Sequence, residues 1–183
     1  NNSVAPFDNK LVRQALSYAV PYQAIVDSVY GGQAQLSKGP IPVGGQYYDE
    51  SLWPYSTDIE KAKALLTEAG YPDGFGLTLH APNNRYVNDE QIAQAIAQML
   101  ARVGVQTRVD AMPASVYFSR GSKLEFSFML VGWGAETMEA SSPLKALLAT
   151  FNKDKGTGAA NRGRYSNPKL DAVLEQALAT VND

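Results

Sequence analysis

The side chains best suited to bind a small charged molecule lie in two short segments of the sequence. Asn84 and Arg85 are adjacent in the first segment, and Trp133, Gly134 and Glu136 form the second. An arginine and a carboxylate that are held apart can bind a zwitterion, with the arginine on its carboxylate and the glutamate on its ammonium group. An indole beside a few polar groups is typical of a small-molecule pocket. These five residues are therefore the predicted ligand-binding site.

The same charged residues have a purely structural alternative. Arg85 would then pair with Asp89 or Glu90, and Glu136 would cap the turn that follows it. Spacing alone leaves both interpretations open.

An enzymatic function is a second hypothesis. Glu136 and Glu139 are three residues apart, so they would share one face of a helix and could act as an acid–base pair in an α/β enzyme domain. Other catalytic signals are missing, because the sequence has no Gly-x-Ser-x-Gly elbow, no phosphate-binding loop and no dinucleotide fingerprint. His80 is the only histidine, and it stands within a predicted strand, where a structural role is expected. The prediction is a protein that is not an enzyme and needs no cofactor.

Composition excludes several classes of partner. The 183 residues include 16 basic and 18 acidic side chains, and the net charge of −2 argues against a nucleic-acid partner. The sequence contains no cysteine, which excludes zinc–thiolate sites, disulfides and thiol nucleophiles. With a single histidine as well, no metal site is predicted. No window approaches the roughly 18 apolar residues that a membrane span requires.

Three predicted strands would position the two segments. Residues 77–81 and 105–111 have strand patterns, and the uninterrupted apolar run from Phe126 to Trp133 predicts a strand buried on both faces. Short connections through helices favour parallel strands, whose carboxyl ends meet at one edge of the sheet. The loops that carry Arg85 and Glu136 would then lie at the same edge. The fold class predicted is α/β, a mostly parallel sheet flanked by helices.

Capping residues predict where several helices begin. Asp8 is the expected N-cap of the first helix, and Asn88 with Gln91 is expected to cap the helix after the Arg85 loop. Asn167 followed by Pro168 predicts the start of the last helix. That helix has an apolar face expected to be buried: Leu170, Val173, Leu174, Ala177, Leu178 and Val181.

Residues 31–57 predict a long ordered loop. The segment is rich in Gly, Pro, Tyr and Ser, yet it also carries Leu52, Trp53 and Tyr55. Loops of this length are uncommon and are often functional. The alternative is a surface arm packed by its own aromatic side chains.

Six motifs, taken in order along nearly the whole chain, give a resemblance to a known family. The sequence resembles the family 5 solute-binding proteins of bacterial ABC importers, which carry peptides, nickel and related cargo. The matching segments are Pro6–Asp8 with Val12–Leu16, Gly39–Pro42, Asp58–Gly74, Gln98–Gly104, Gly132–Gly134 and Tyr165–Pro168.

The resemblance implies a fold, a function and a set of partners. The fold would be of the type II periplasmic-binding-protein kind, with residues 1–183 as a single ligand-binding lobe. It would be the C-terminal lobe of a larger two-lobed protein, and the N-terminal lobe would be missing. Such a protein binds a peptide, a modified peptide or a metal chelate between its lobes and delivers it to an ABC permease. It would be periplasmic or extracytoplasmic and membrane-associated through the transporter. A sensory interaction module is a third hypothesis.

The resemblance also implies roles for individual residues. In peptide-binding members an acidic residue shortly after the Gly-Trp pair holds the amino group of the ligand, and Glu136 occupies the matching position, where Asp is usual. Dipeptide-binding members use an Arg in the loop after the preceding strand, which matches Arg85. Trp133 matches an aromatic residue at the rim of the site. Glu139-Ala140 replaces the usual Asp-Pro.

Overall fold

The computed structural model describes residues 1–53, 55–134 and 138–180. Its backbone divides into two units. The sheet unit comprises Asn2–Leu36 and Pro54–Gly132, and the loop unit comprises Asn1, Ser37–Trp53 and Trp133–Asp183. The prediction that residues 1–183 make one ligand-binding lobe stays a prediction.

The sheet unit contains the predicted series of three strands joined by helices. Two helices come first, and a third precedes a strand–helix–strand–helix–strand series. The elements are α1 (Lys10–Ala19), α2 (Tyr22–Val29), α3 (Ile59–Glu68), β1 (Phe75–Pro82), α4 (Asp89–Ala101), β2 (Val105–Met112), α5 (Ala114–Ser122) and β3 (Phe128–Met129).

The three strands form a parallel sheet in the order β2-β1-β3. β1 and β2 pair along their full length, from Phe75 beside Val105 to Pro82 beside Met112. Gly74 and Gly104 stand just before these two strands and approach each other closely. A Cβ on Gly74 would lie 2.0 Å from the Gly104 carbonyl oxygen, so only glycine fits there. The predicted α/β class with a parallel sheet is confirmed.

The third strand is much shorter than predicted. β3 contains only Phe128 and Met129, both half-buried, and Val131 is exposed, so a strand over 126–133 buried on both faces is wrong. The register pairs Phe128 with Leu79, and β1 ends at Pro82, three residues farther along. A β3 extended past Val131 would therefore have no β1 residue to pair with. An apolar run predicts that a strand is present, but the length of its pairing also depends on where the neighbouring strand ends.

Different segments of the chain pack on the two faces of β1. Because successive side chains of a strand point to opposite faces, Leu79 and Ala81 lie on one face and His80 on the other. Leu79 and Ala81 cluster with Ala93 of α4. On the opposite face the His80 ring stacks on Phe126, 4.2 Å between centroids. This places α4 on the first face and the segment after α5 on the second.

The first helix begins one residue later than predicted. Asn9, not Asp8, is its N-cap, and the Asn9 side chain accepts a hydrogen bond from the Leu11 N–H at 2.8 Å. Asp8 instead accepts from the N–H of Asn9 at 3.0 Å. Asn and Asp are about equally good N-caps, so adjacent candidates cannot be separated by residue type.

The loop unit has little regular structure. It contains a 3₁₀ turn at Glu50–Leu52, the short helix α6 (Ser141–Pro143), a π-helical turn at Leu144–Leu148 and the helix α7 (Pro168–Ala179). Asn167 caps α7 as predicted, since its Oδ1 accepts from the N–H groups of Lys169 and Leu170 at 3.1 and 3.3 Å. Apart from the 3₁₀ turn, the described part of residues 31–57 has no helix or strand.

The apolar face of α7 is mostly exposed, contrary to prediction. Leu174 is its only buried residue among those described, whereas Val173 and Leu178 are 63% and 48% exposed. Val181, which was assigned to the same face, lies outside the described residues. Apolar periodicity shows which face of a helix can be covered, but the cover itself is a tertiary feature.

Candidate functional site

The loop that joins β1 to α4 is held in one conformation by the carboxylate of Asp89. One oxygen of Asp89 accepts the backbone N–H groups of Arg85 and Tyr86 at 2.9 and 3.0 Å. The other oxygen accepts the N–H of Glu90 at 3.0 Å. The Asp89 residue is only 3% exposed. The backbone that carries Arg85 is therefore fixed by a buried acid.

Two opposing effects act on the pKa of Asp89. Burial penalises the charged carboxylate and raises the pKa, whereas the N–H groups of Tyr86, Arg85 and Glu90 favour the charge and lower it. The hydrogen bonds together outweigh the burial, so the pKa lies below its ordinary value. Asp89 is thus ionised at neutral pH and keeps its hold on the loop.

The side chain of Arg85 is exposed, and its guanidinium lies over the Tyr86 ring, 5.2 Å from Cζ to the ring centroid. The structural alternative predicted an ion pair between this guanidinium and Asp89 or Glu90. Asp89 instead binds the backbone N–H of Arg85, and within the described residues the guanidinium forms no ion pair. Among the described residues, this cation therefore has no carboxylate partner, and its backbone is held by Asp89.

Asn84 has a structural contact that the sequence did not reveal. Its Oδ1 accepts the N–H of Ala114, the first residue of α5, at 2.8 Å. Pro113, which precedes α5, has no side chain able to cap it, so Asn84 supplies the cap from another loop. The oxygen of Asn84 is thus occupied, and its amide N–H₂ is the part that can face a ligand.

Tyr86 connects the Arg85 loop to the segment that follows β3. Its hydroxyl donates to the carbonyl of Gly132 at 3.2 Å. The ring also lies against Gly132, since a Cβ on that glycine would be 2.8 Å from the ring carbon Cε1. Gly132 is the last residue of the sheet unit. The end of this unit is therefore tied to the loop after β1.

The second predicted segment begins in the loop unit. Trp133 is 43% exposed, and its indole N–H donates to the Ser142 hydroxyl at 3.3 Å. Gly134 is exposed, and a Cβ there would meet no atom of the described residues within 4 Å. Glu136 lies outside the described residues, and Glu139 is exposed. A site shared by this segment and the Arg85 loop stays a prediction.

Comparison with known families decides what kind of protein carries these features. The model of the bacterial extracellular solute-binding proteins, family 5, matches residues 1–155. The chain belongs to this family. The resemblance noted in the sequence is confirmed.

Curated relatives of this family 5 chain are considerably longer. Heme-binding protein A of Haemophilus influenzae is 35% identical over 188 residues, which cover all of this chain and 33% of that protein. The glutathione-binding protein GsiB of Pectobacterium atrosepticum is 37% identical over 191 residues, again all of this chain and 36% of the relative. The chain therefore spans about a third of the length of these relatives.

Solved structures share the fold. HbpA2 from Haemophilus parasuis superposes with a TM-score of 0.90 at 28% identity, covering all of this chain and 36% of that one. The periplasmic binding protein DppA from Helicobacter pylori, in complex with the peptide STSA, gives 0.89 at 27% identity, with all of this chain and 35% of that one covered. The expected periplasmic-binding-protein fold is confirmed.

Family membership bears on the other predictions. The family is one of binding proteins, so an enzyme built on Glu136 and Glu139 is not favoured. Among the described residues, no group of three or more His, Asp or Glu side chains is arranged to hold a metal ion. No helix in the described ranges is both long and apolar enough to cross a membrane.

His80 lies in structural contacts. Its Nδ1 is 3.4 Å from the Phe128 carbonyl oxygen, and its Nε2 is 3.6 Å from the Asp110 carboxylate. Burial, together with the charges of Arg120 and Arg108, lowers the pKa of His80 more than the Phe128 carbonyl and Asp110 raise it, so the ring is neutral at pH 7. The histidine helps to join the three strands, since these partners lie on β3 and β2.

The structural roles of two residues in this loop, Asp89 and Tyr86, were not identified from the sequence. Asn88 was predicted to cap α4, but it adopts a left-handed conformation with φ of 56° and its amide donates to the Val29 carbonyl at 2.8 Å. Asp89 takes over the hydrogen bonding at this helix start, and Tyr86 makes the contact to Gly132. An acid in the first turn is a recognisable signal for Asp89. The role of Tyr86 depends on a residue 46 positions away, and no local pattern reveals it.

Proposed function

We propose that this chain is one lobe of the solute-binding component of an ABC importer. The remainder of the protein would supply the second lobe, and the closed complex would deliver a small solute to a membrane permease. The observation that carries the proposal is the family match over residues 1–155. The protein would work outside the cytoplasm, in the periplasm or an equivalent compartment, and associate with the membrane through its transporter.

The solute we propose is one that carries a carboxylate. Relatives are named for heme and glutathione, and a structural neighbour holds the peptide STSA. Heme, glutathione and peptides differ in size and shape, but each presents at least one carboxylate. Arg85 suits this shared group, because a guanidinium binds a carboxylate through two parallel hydrogen bonds. Its backbone is already held by Asp89, so little ordering of the loop is needed on binding.

The other predicted residues would complete the site. Trp133 would supply an apolar wall, and Gly134 would leave room for close approach of the solute. Asn84 would donate through its amide N–H₂, since its oxygen is bound to Ala114. Glu136 would accept an ammonium group, such as the amino terminus of a peptide, and is dispensable for a solute without one.

Calorimetry on the complete protein would test this function. Glutathione, a dipeptide and heme are the probes, and we expect heat of binding and a raised melting temperature with at least one of them. Absence of both signals for all three probes, in protein freed of retained solute by unfolding and refolding, would contradict the importer proposal.

Substitutions separate the site from the function. Arg85→Ala is expected to weaken binding of a carboxylate probe about 10- to 100-fold, which corresponds to the loss of about 1.5–3 kcal/mol for a charged hydrogen-bonding group. Arg102→Ala is the matched control, because Arg102 is an exposed arginine at the end of α4. If Arg85→Ala and Glu136→Ala both bind like the wild type, the assigned site is wrong even though the importer function stands.

A further inference from the structure

We propose that Tyr86 is the positioning residue of this solute site. Its ring would orient the guanidinium of Arg85, and its hydroxyl would hold the backbone of Gly132, one residue before Trp133. This inference rests on the proposed function, and it gives the site an organising residue that makes no contact with solute itself.

Tyr86 is held at both ends. Its backbone N–H donates to the buried Asp89 carboxylate at 3.0 Å, and its hydroxyl donates to the Gly132 carbonyl at 3.2 Å. A side chain anchored at its base and its tip has few alternative rotamers, so its ring presents a fixed surface. The ring is half-buried, which leaves part of it to contact neighbouring side chains.

One neighbour is the guanidinium of Arg85. Its Cζ lies 5.2 Å from the Tyr86 ring centroid, within the range of a cation–π interaction. Within the described residues Arg85 has no carboxylate partner to set its direction. The ring therefore orients the cation without neutralising it, and the full charge stays available for a solute carboxylate.

The other neighbour is Gly132, and the fit there is steric. A Cβ at residue 132 would lie 2.8, 3.2 and 3.3 Å from the Tyr86 ring atoms Cε1, Cζ and Cδ1. Gly132 is not among the glycines with a positive φ, so its backbone conformation is open to any residue. Glycine is required here for the space that the ring occupies. Ring and glycine therefore form a matched pair, and changing either should disturb the same contact.

This matched pair predicts a specific pattern of variant affinities. Tyr86→Phe removes only the hydroxyl contact and should weaken binding of a carboxylate probe about 2- to 10-fold. Tyr86→Ala removes the ring as well and should cost about 10-fold or more. Gly132→Ala displaces the ring, and the affinity of this variant should lie between those of Tyr86→Phe and Tyr86→Ala. The double variant Tyr86→Ala with Gly132→Ala should bind like Tyr86→Ala alone, because the added methyl then meets no ring.

The experiment measures the dissociation constant of whichever of glutathione, a dipeptide or heme binds the complete protein. Tyr47→Phe and Gly76→Ala are the controls, since Tyr47 is 76% exposed and a Cβ on Gly76 would meet its nearest atom at an ordinary 3.9 Å. Additive losses in the double variant, or wild-type affinity in Tyr86→Ala while Arg85→Ala is weakened, would overturn the positioning role and leave the importer function intact.

A second readout needs no solute. The protein is labelled with 5-fluorotryptophan, and the ¹⁹F resonance of Trp133 is assigned by its loss in Trp133→Phe. Tyr86→Ala and Gly132→Ala should each shift or broaden this resonance, and the controls should not. An unmoved resonance in both variants would overturn the proposal even if none of the three probes binds.

Discussion

The sheet unit buries one large apolar cluster and two smaller ones, whereas the described part of the loop unit buries few apolar side chains. The large cluster joins α1, α2, α3, α4 and β2, and Val12, Leu66, Leu100 and Val105 in it are at most 1% exposed. In the loop unit the buried apolar side chains are smaller or isolated: Ala140, Pro143, Ala149 and Leu174. The sheet unit is therefore stabilised chiefly by the hydrophobic effect.

In the loop unit, hydrogen bonds of polar side chains contribute relatively more to holding the conformation. Asp171 accepts both the N–H and the hydroxyl of Thr150, at 2.8 and 2.6 Å. Asn161 is 3% exposed, and its amide donates to the carbonyls of Ala149 and Tyr165 at 3.0 and 2.8 Å. Such bonds fix a loop conformation because they are directional, whereas apolar burial tolerates rearrangement. A unit built this way can present an irregular surface in one defined shape.

The largest expected effect is in the core of the sheet unit. Leu66→Ala and Leu100→Ala should each lower the free energy of unfolding by about 2–5 kcal/mol, since each leaves a cavity in a closely packed cluster. Leu178→Ala in α7 is the control, because Leu178 is 48% exposed and an exposed substitution changes stability by no more than about 0.5 kcal/mol. Urea unfolding followed by circular dichroism measures the stability of all three variants. Equal losses at Leu66 and Leu178 would contradict the comparison.

The next largest effect concerns Asp171, the acid in the loop unit that accepts hydrogen bonds from Thr150. Asp171→Asn should cost about 1–2 kcal/mol at pH 7, because the charged acceptor of Thr150 is lost. The side-chain hydroxyl and then the backbone N–H of Thr150 lower the pKa of Asp171. A pKa that is lower in the folded than in the unfolded chain means stability that is full above about pH 4 and lost as pH falls through the folded pKa.

The loss of stability caused by Asp171→Asn should accordingly become smaller as the pH falls below about 4. The loss of stability caused by Asp89→Asn in the sheet unit should also become smaller at low pH, since the pKa of Asp89 is lowered too. Thermal unfolding between pH 7 and pH 3 gives the comparison. A deficit for Asp171→Asn that is constant with pH would rule out the charge as its source.

Helix caps should contribute equally in the two units. Asn9 caps α1 and Asn167 caps α7, each through a side-chain oxygen that accepts backbone N–H groups. Replacing either with Ala should cost about 1 kcal/mol, within the usual range for N-caps. Urea unfolding of the two variants would show whether local capping, unlike core packing, is independent of the unit. A difference above about 2 kcal/mol between them would show that it is not.

The smallest expected effect is at the surface of the loop unit. Lys155 pairs with Glu175 at 3.0 Å, but the two side chains are 58% and 68% exposed. Glu175→Gln should therefore change stability by at most about 1 kcal/mol. Any effect should fade in 1 M salt, where charges are screened within about 3 Å. An effect as large as that of Asp171→Asn would mean that exposed pairs stabilise this unit.

Much of the sheet unit was predictable because its signals are local. Capping residues place α1 and α4 within a few residues, and the strand patterns place β1 and β2. The errors at Asp8 and Asn88 arose between neighbours that are chemically similar, Asp8 with Asn9 and Asn88 with Asp89. In the candidate site, Arg85 was recognisable from its charge and its place after a strand.

The sequence by itself determined the α/β class and the family, because residue type and short-range spacing encode both, and it predicted which charged residues would bind a solute. Tertiary structure alone decided the length of β3, the exposure of α7, the use of Asn84 as a remote cap and the pairing of Tyr86 with Gly132. Each of these depends on contacts between residues that are far apart in the chain. Whether such a contact forms depends on the packing of whole elements, which no local pattern specifies.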